Sequence, residues 1–108
     1  MASSYKVLGQ VNPAAVTATT LYTVPSATSA VASTLTICNL GVTTTVRVAV
    51  RPAGAALSAE QYIVYDSLVS NNDTLFLTLG IALSTTDVVT VYAGTATVSF
   101  GMFGSEIN

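Results

Sequence analysis

Valines and leucines recur at every second position along most of this chain, and that spacing commits it to extended strands. From Thr45 to Arg51, Val46, Val48 and Val50 alternate with Thr45, Arg47, Ala49 and Arg51. A strand sends successive side chains to opposite faces, so the valines share one face and both arginines the other. Leu35 and Ile37 alternate in the same way with Thr34, Thr36 and Cys38, and Leu75, Leu77 and Leu79 with Thr74, Phe76 and Thr78. Val89, Val91 and Ala93 alternate with Val88, Thr90 and Tyr92, and Val98, Phe100 and Met102 with Thr97, Ser99 and Gly101. Val and Thr, both common here, are stiff at χ1 and suit a pleated surface.

Turn signals separate these runs at Asn12-Pro13, Pro25-Ser26, Asn39 to Gly41, Pro52 to Gly54, Asn71 to Asp73, Thr85 to Asp87 and Gly94. The spacing predicts eight strands, near residues 5–10, 19–24, 31–39, 44–51, 61–66, 74–80, 87–93 and 95–103. Many short strands with even turns imply an all-β chain, a single-domain β-sandwich or jelly roll of about eight antiparallel strands over residues 1–108. Ser58 to Gln61 has the form of a capping box, in which Ser58 accepts from the Gln61 backbone N–H. The β-branched run resumes at Ile63, so at most one helical turn is expected there. A domain of this mass is expected to expose roughly 5,600 Å² as a monomer.

Charge is scarce. Only 7% of the residues are charged, against roughly 25% in ordinary soluble domains. Three are basic (Lys6, Arg47, Arg51) and five acidic (Glu60, Asp66, Asp73, Asp87, Glu106), for a net charge of −2. Three scattered cations build no basic patch, so nucleic acid is not an expected partner. Thr, Ser or Gly interrupts every apolar stretch before a membrane-spanning length is reached, so no membrane partner is expected. Met1 to Gln10 has neither a basic nor an apolar leader segment, and no secretory signal is expected. The one cysteine, Cys38, has no disulfide partner within the chain and reads as a small buried hydrophobe. So neutral a surface is either coated by hydroxyls, covered by neighbouring subunits where charge is depleted, or both. Strand edges are usually blunted by Lys or Pro. This chain has one Lys and no Pro within an expected strand, so closed sheets or covering neighbours are expected.

Catalytic constellations are hard to assemble. The chain has no histidine, which excludes Ser-His-Asp and Cys-His arrangements, and one cysteine cannot supply a zinc site. No phosphate-cradling loop is present. Asp66 and Asp73 flank one expected loop, where Asp73 supports the turn and Asp66 ends a strand. The same loop lacks the spaced acidic ladder of a calcium site. No catalytic residue, metal or cofactor is therefore expected. Interface residues are better candidates. Arg47 and Arg51 share a strand face and suit bidentate pairing with acidic groups on a neighbour. Tyr62 and Tyr65 fall on opposite faces of one strand, so one of them points outward, where tyrosine is enriched at interfaces. Phe100 and Phe103 also fall on opposite faces, and Phe103 is left for another chain to cover.

Several segments together form a wider pattern: Lys6 to Gln10 with Asn12-Pro13, Leu21 to Pro25, Val46 to Gly54, Tyr62 to Asp66, Asn72 to Thr74, Thr85 to Ala93 and Phe103 to Glu106. Over nearly the whole length they resemble a family of small open reading frames of tailed bacteriophages, especially those of cyanobacteria and other aquatic bacteria. The resemblance implies a virion structural protein, assembled in the host cytoplasm and resident in the particle, with the major capsid protein or other virion proteins as partners. One implied role is a capsid cement or decoration protein, a homo-oligomer, with a trimer favoured, that clamps capsomers. Another is a tail, baseplate or fibre component, which the short single-domain chain makes the weaker expectation. Outside the resemblance stand a carbohydrate-binding module for host attachment, using Tyr22, Tyr62 and Tyr65, and an enzyme, for which the sequence offers least.

Overall fold

The computed structural model describes residues 3–108, with the side chain of Leu79 outside the described set. Eight strands follow in order: β1 (Ser3–Val11), β2 (Thr19–Thr23), β3 (Ser29–Asn39), β4 (Thr44–Arg51), β5 (Tyr62–Val69), β6 (Thr74–Leu83), β7 (Val88–Ala93) and β8 (Val98–Ile107). They form two four-stranded sheets, ordered β1-β8-β3-β6 and β2-β7-β4-β5, with every neighbouring pair antiparallel. All connections except β4 to β5 cross from one sheet to the other, which is the double Greek key of a jelly roll. The expected all-β sandwich is thus the fold, and the strand order resolves it to the jelly roll.

The alternation read from the sequence sets which face is buried. Val46, Val48, Val89, Val91 and Ala93 from one sheet meet Leu35, Ile37, Val98, Phe100 and Met102 from the other in a single core. The molecule is a slab 44 × 27 × 19 Å, whose thin dimension is two sheets at roughly 10 Å spacing plus their outer side chains. Its accessible surface is 5415 Å², slightly below the size-based expectation, so burial is complete for a monomer of this mass. Apolar side chains left outside are therefore there by position, not because the core is unfinished.

Between β4 and β5 the chain makes two short 3-10 turns, Pro52–Gly54 and Ala59–Gln61. The second is the single helical turn expected. Its capping box is the one expected, with the Ser58 side chain facing the Gln61 backbone N–H; that N–H also donates to the Ser58 carbonyl at 3.2 Å, and the Ser58 hydroxyl donates to Glu60 at 2.6 Å. The Gln61 side chain accepts from the Ser58 N–H, at 3.0 Å. Asp66 does not end a strand. β5 runs on to Val69, and Asp66 sits within it at φ 51°, where the register with β4 shifts. Cys38 is not in the core either. It lies on the outer face of its sheet, half-buried, because the leucine and isoleucine two positions apart already take the inner face.

Candidate interaction surfaces

All eight charged side chains have roles within the chain. Lys6 Nζ donates to Glu106 at 3.0 Å, and the Tyr22 hydroxyl donates to the other Glu106 oxygen. The Tyr22 hydroxyl, and then Lys6, hold the Glu106 carboxyl below its ordinary pKa. Burial, reinforced by the same carboxylate, pushes the Tyr22 phenol up. Asp87 accepts from the Ala53 N–H at 2.9 Å and the Ser84 N–H at 2.9 Å. Asp73 accepts from the Thr74 N–H at 2.8 Å, so it supports the turn as expected. Glu60 accepts from Ser58, which lowers its pKa. Among the described residues no three metal-ligating side chains come together.

The two arginines complete the set. Arg47 on β4 makes a two-pronged contact with Asp66 on β5, Nε to Oδ1 at 2.6 Å and Nη2 to Oδ2 at 3.3 Å. Its guanidinium carbon stands 4.4 Å from the ring centroids of both Tyr65 and Tyr92, a cation–π arrangement. Arg51 folds back on the loop that follows it. Nε donates to the Ala55 carbonyl at 2.7 Å, Nη2 to the Gly54 carbonyl at 3.0 Å, and Nη1 approaches Thr90 Oγ1 at 3.4 Å. Asp66 and Tyr92 were not singled out from the sequence as partners of Arg47. The alternation did place Tyr92 on the matching face of β7, and Arg47 lies directly beside it in the ladder.

Tyr62 and Tyr65 lie on the same face, contrary to the period-two reading. Their ring centroids are 4.8 Å apart in an edge-to-face contact. The cause is a bulge: Val48 pairs with Val64 and Ala49 with Tyr62, so Ile63 is an extra residue and reverses the phase between the tyrosines. With Leu57 they border a shallow groove on the outer face of the β2-β7-β4-β5 sheet. Tyr22 belongs to no such surface. It is only 8% exposed, which removes it from the three tyrosines considered for glycan contact.

The other outer face is of a different kind. On the β1-β8-β3-β6 sheet the outward rows are Tyr5, Ser105, Val31 and Ala82, then Val7, Phe103, Thr34 and Thr78, then Gln10, Gly101, Thr36 and Phe76. No outward position on these strands carries a charge. The sheet's two charged residues, Lys6 and Glu106, turn to the flank where Tyr22 waits. Tyr5 is 88% exposed and Phe76 71%. Phe103 is half-buried because its ring lies over Gly101: a methyl group there would meet the ring at 3.2 Å and Thr36 Oγ1 at 2.9 Å. Phe76 was placed by the alternation on the face opposite Leu75 and Leu77 but was not singled out from the sequence as an interface residue. Comparison of the chain with models of protein families, with curated proteins and with solved structures finds no match.

Proposed function

We propose that this chain is a non-enzymatic structural protein of a tailed-bacteriophage virion, a cement or decoration protein that binds between capsomers. The observation that carries the reading is the charge-free outer face of the β1-β8-β3-β6 sheet, with Tyr5, Val7, Val31, Phe76 and Phe103 outward. Interface centres are depleted in charge and enriched in aromatics. A face of apolar and hydroxyl groups is desolvated on docking without stranding an ion. The jelly roll is a fold found in capsid and lectin domains, and fold alone assigns no function. The sequence resemblance adds the compartment. A clamp bound only to the assembled shell shifts the equilibrium towards the intact particle, and many weakly held copies act together through avidity.

Deletion of the gene tests the reading. Particles lacking the protein are expected to lose infectivity faster on heating or osmotic shock, and unchanged survival would count against a cement role. Electron microscopy of labelled particles separates a capsid position from a tail, baseplate or fibre position. One observation favours a second reading. Tyr62, Tyr65 and Leu57 border an aromatic groove, the kind of surface a carbohydrate-binding module uses, and a glycan array without hits would dispose of it.

A further inference from the structure

We propose that two copies of this chain pair through β6, antiparallel and about a twofold axis at Phe76, joining their β1-β8-β3-β6 sheets into one. The proposal rests on the assembly reading only in expecting copies of the chain to associate. Four strands are sheet edges: β1, β6, β2 and β5. Edge strands offer unpaired N–H and C=O groups and are normally blunted. β1 carries Lys6 and a register break between Val7 and Gly9. β2 is five residues long and also broken. β5 has two breaks and holds Asp66 in the left-handed region. β6 has a register break of its own, between Thr78 and Ile81, but it keeps the longest unbroken charge-free run among these edges: Thr74 to Thr78 pairs without interruption with Cys38 to Thr34, and no charged residue or proline occurs from Thr74 to Leu83.

The same run is complementary to itself. An axis at Phe76 sets Phe76 opposite its own copy, Leu75 opposite Leu77 and Thr74 opposite Thr78. Parity is kept, so inward leucines meet inward leucines and outward threonines meet outward threonines. Leu75 and Leu77 face the core yet stay half-exposed, since no strand lies beyond β6. The partner's leucines would cover them, and the two Phe76 rings would meet as a cross-strand aromatic pair. A twofold interface places each group against its own kind, which penalises any charge near the axis, and β6 has none. The nearest, Asp73, would stand roughly 20 Å from its copy along the strand, beyond the screening length. With the other edges blunted, growth stops at two copies. The joined sheets double the neutral outer face.

Sedimentation equilibrium on the purified chain tests this. The expected mass is twice the 11.0 kDa of one chain. Phe76→Lys and Phe76→Glu, at an outward and exposed position, are each expected to halve that mass while still unfolding cooperatively, at a melting temperature that no longer rises with protein concentration. An equimolar mixture of the two is expected to restore the doubled mass, because residue 76 faces residue 76. Tyr5→Lys on the opposite edge is expected to leave the dimer intact. A monomeric wild type, a dimer or trimer indifferent to Phe76→Lys, or a mixture that stays monomeric would each overturn the pairing. None of these results bears on particle survival after gene deletion, so the two readings fail separately.

Discussion

Asn39 is the residue on which most of one end of the sandwich depends. It is 1% exposed. Its side-chain nitrogen reaches the carbonyls of Val42 at 2.7 Å, Val69 at 3.1 Å and Ser70 at 3.2 Å. Its oxygen accepts from the Gly41 N–H at 3.0 Å and the Thr97 hydroxyl at 2.9 Å. Three separate turns are thereby fixed to one amide. Asn39→Ala would leave buried groups without partners, a loss of about 3 kcal/mol in urea unfolding. Asn39→Asp is expected to cost more, because it aims a carboxylate at three carbonyl oxygens. A change within about 0.5 kcal/mol, the range of ordinary surface substitutions, would remove Asn39 from this role. The sequence marked Asn39 only as a turn residue, yet it stands two positions after Ile37 in the inward series. Gly104 is the second such point. A Cβ there would lie 2.0 Å from the Val31 carbonyl oxygen, whereas nothing comes within 4 Å of one at Gly80. Gly104→Ala should therefore destabilise by about 3 kcal/mol, and Gly80→Ala should stabilise by about 0.5 kcal/mol, both read from the urea midpoint.

Among the elements, strands were legible and their irregularities were not. Periodicity located all eight strands and the inward face of β3, β4, β7 and β8, because burial on one side forces the alternation. It failed at Tyr62 and Tyr65, where one inserted residue reverses the phase and no turn residue announces it. Strand order was also hidden, since nothing in a single strand names its neighbour. The Tyr22–Glu106–Lys6 contact joins β2 of one sheet to β1 and β8 of the other, and its titration is readable. The folded Glu106 carboxyl lies below its ordinary 4.5. As pH falls the unfolded chain takes the proton first, so the contribution is full above 4.5 and lost as pH drops through the folded value. Tyr22 works in the opposite sense. Its phenol is raised above 10.0, so its contribution holds below that pH and fades as pH climbs towards the folded value. Glu106→Gln should flatten the acid side of a plot of melting temperature against pH, and Tyr22→Phe should reduce both sides. Acid and alkaline limbs unchanged in both variants would show that the contact does not contribute.

At the scale of the whole molecule, scarce charge has a consequence for how the protein can be held. Each of the eight charged groups has a partner within the chain, and the broad outer face that remains is neutral. Attachment through that face gains its free energy from burying apolar surface, with its hydroxyls hydrogen-bonded to the partner, and salt screens neither. Attachment through exposed ions would weaken as the screening length falls from ~14 Å to ~4 Å between 0.05 M and 0.5 M salt. On the proposed cement role, occupancy of the protein on particles is therefore expected to stay within about twofold across that range, since a twofold change in binding is a few tenths of a kcal/mol. Thr34→Glu, near the middle of the same face, should keep the wild-type melting curve and reduce occupancy at least tenfold, since the carboxylate would have to be desolvated against a neutral surface. Salt that strips the protein from particles, or a Thr34→Glu variant that still decorates them, would place the contact on another surface. The arginine–tyrosine cluster on the opposite sheet, with Arg47 already paired to Asp66, would then be the one to map.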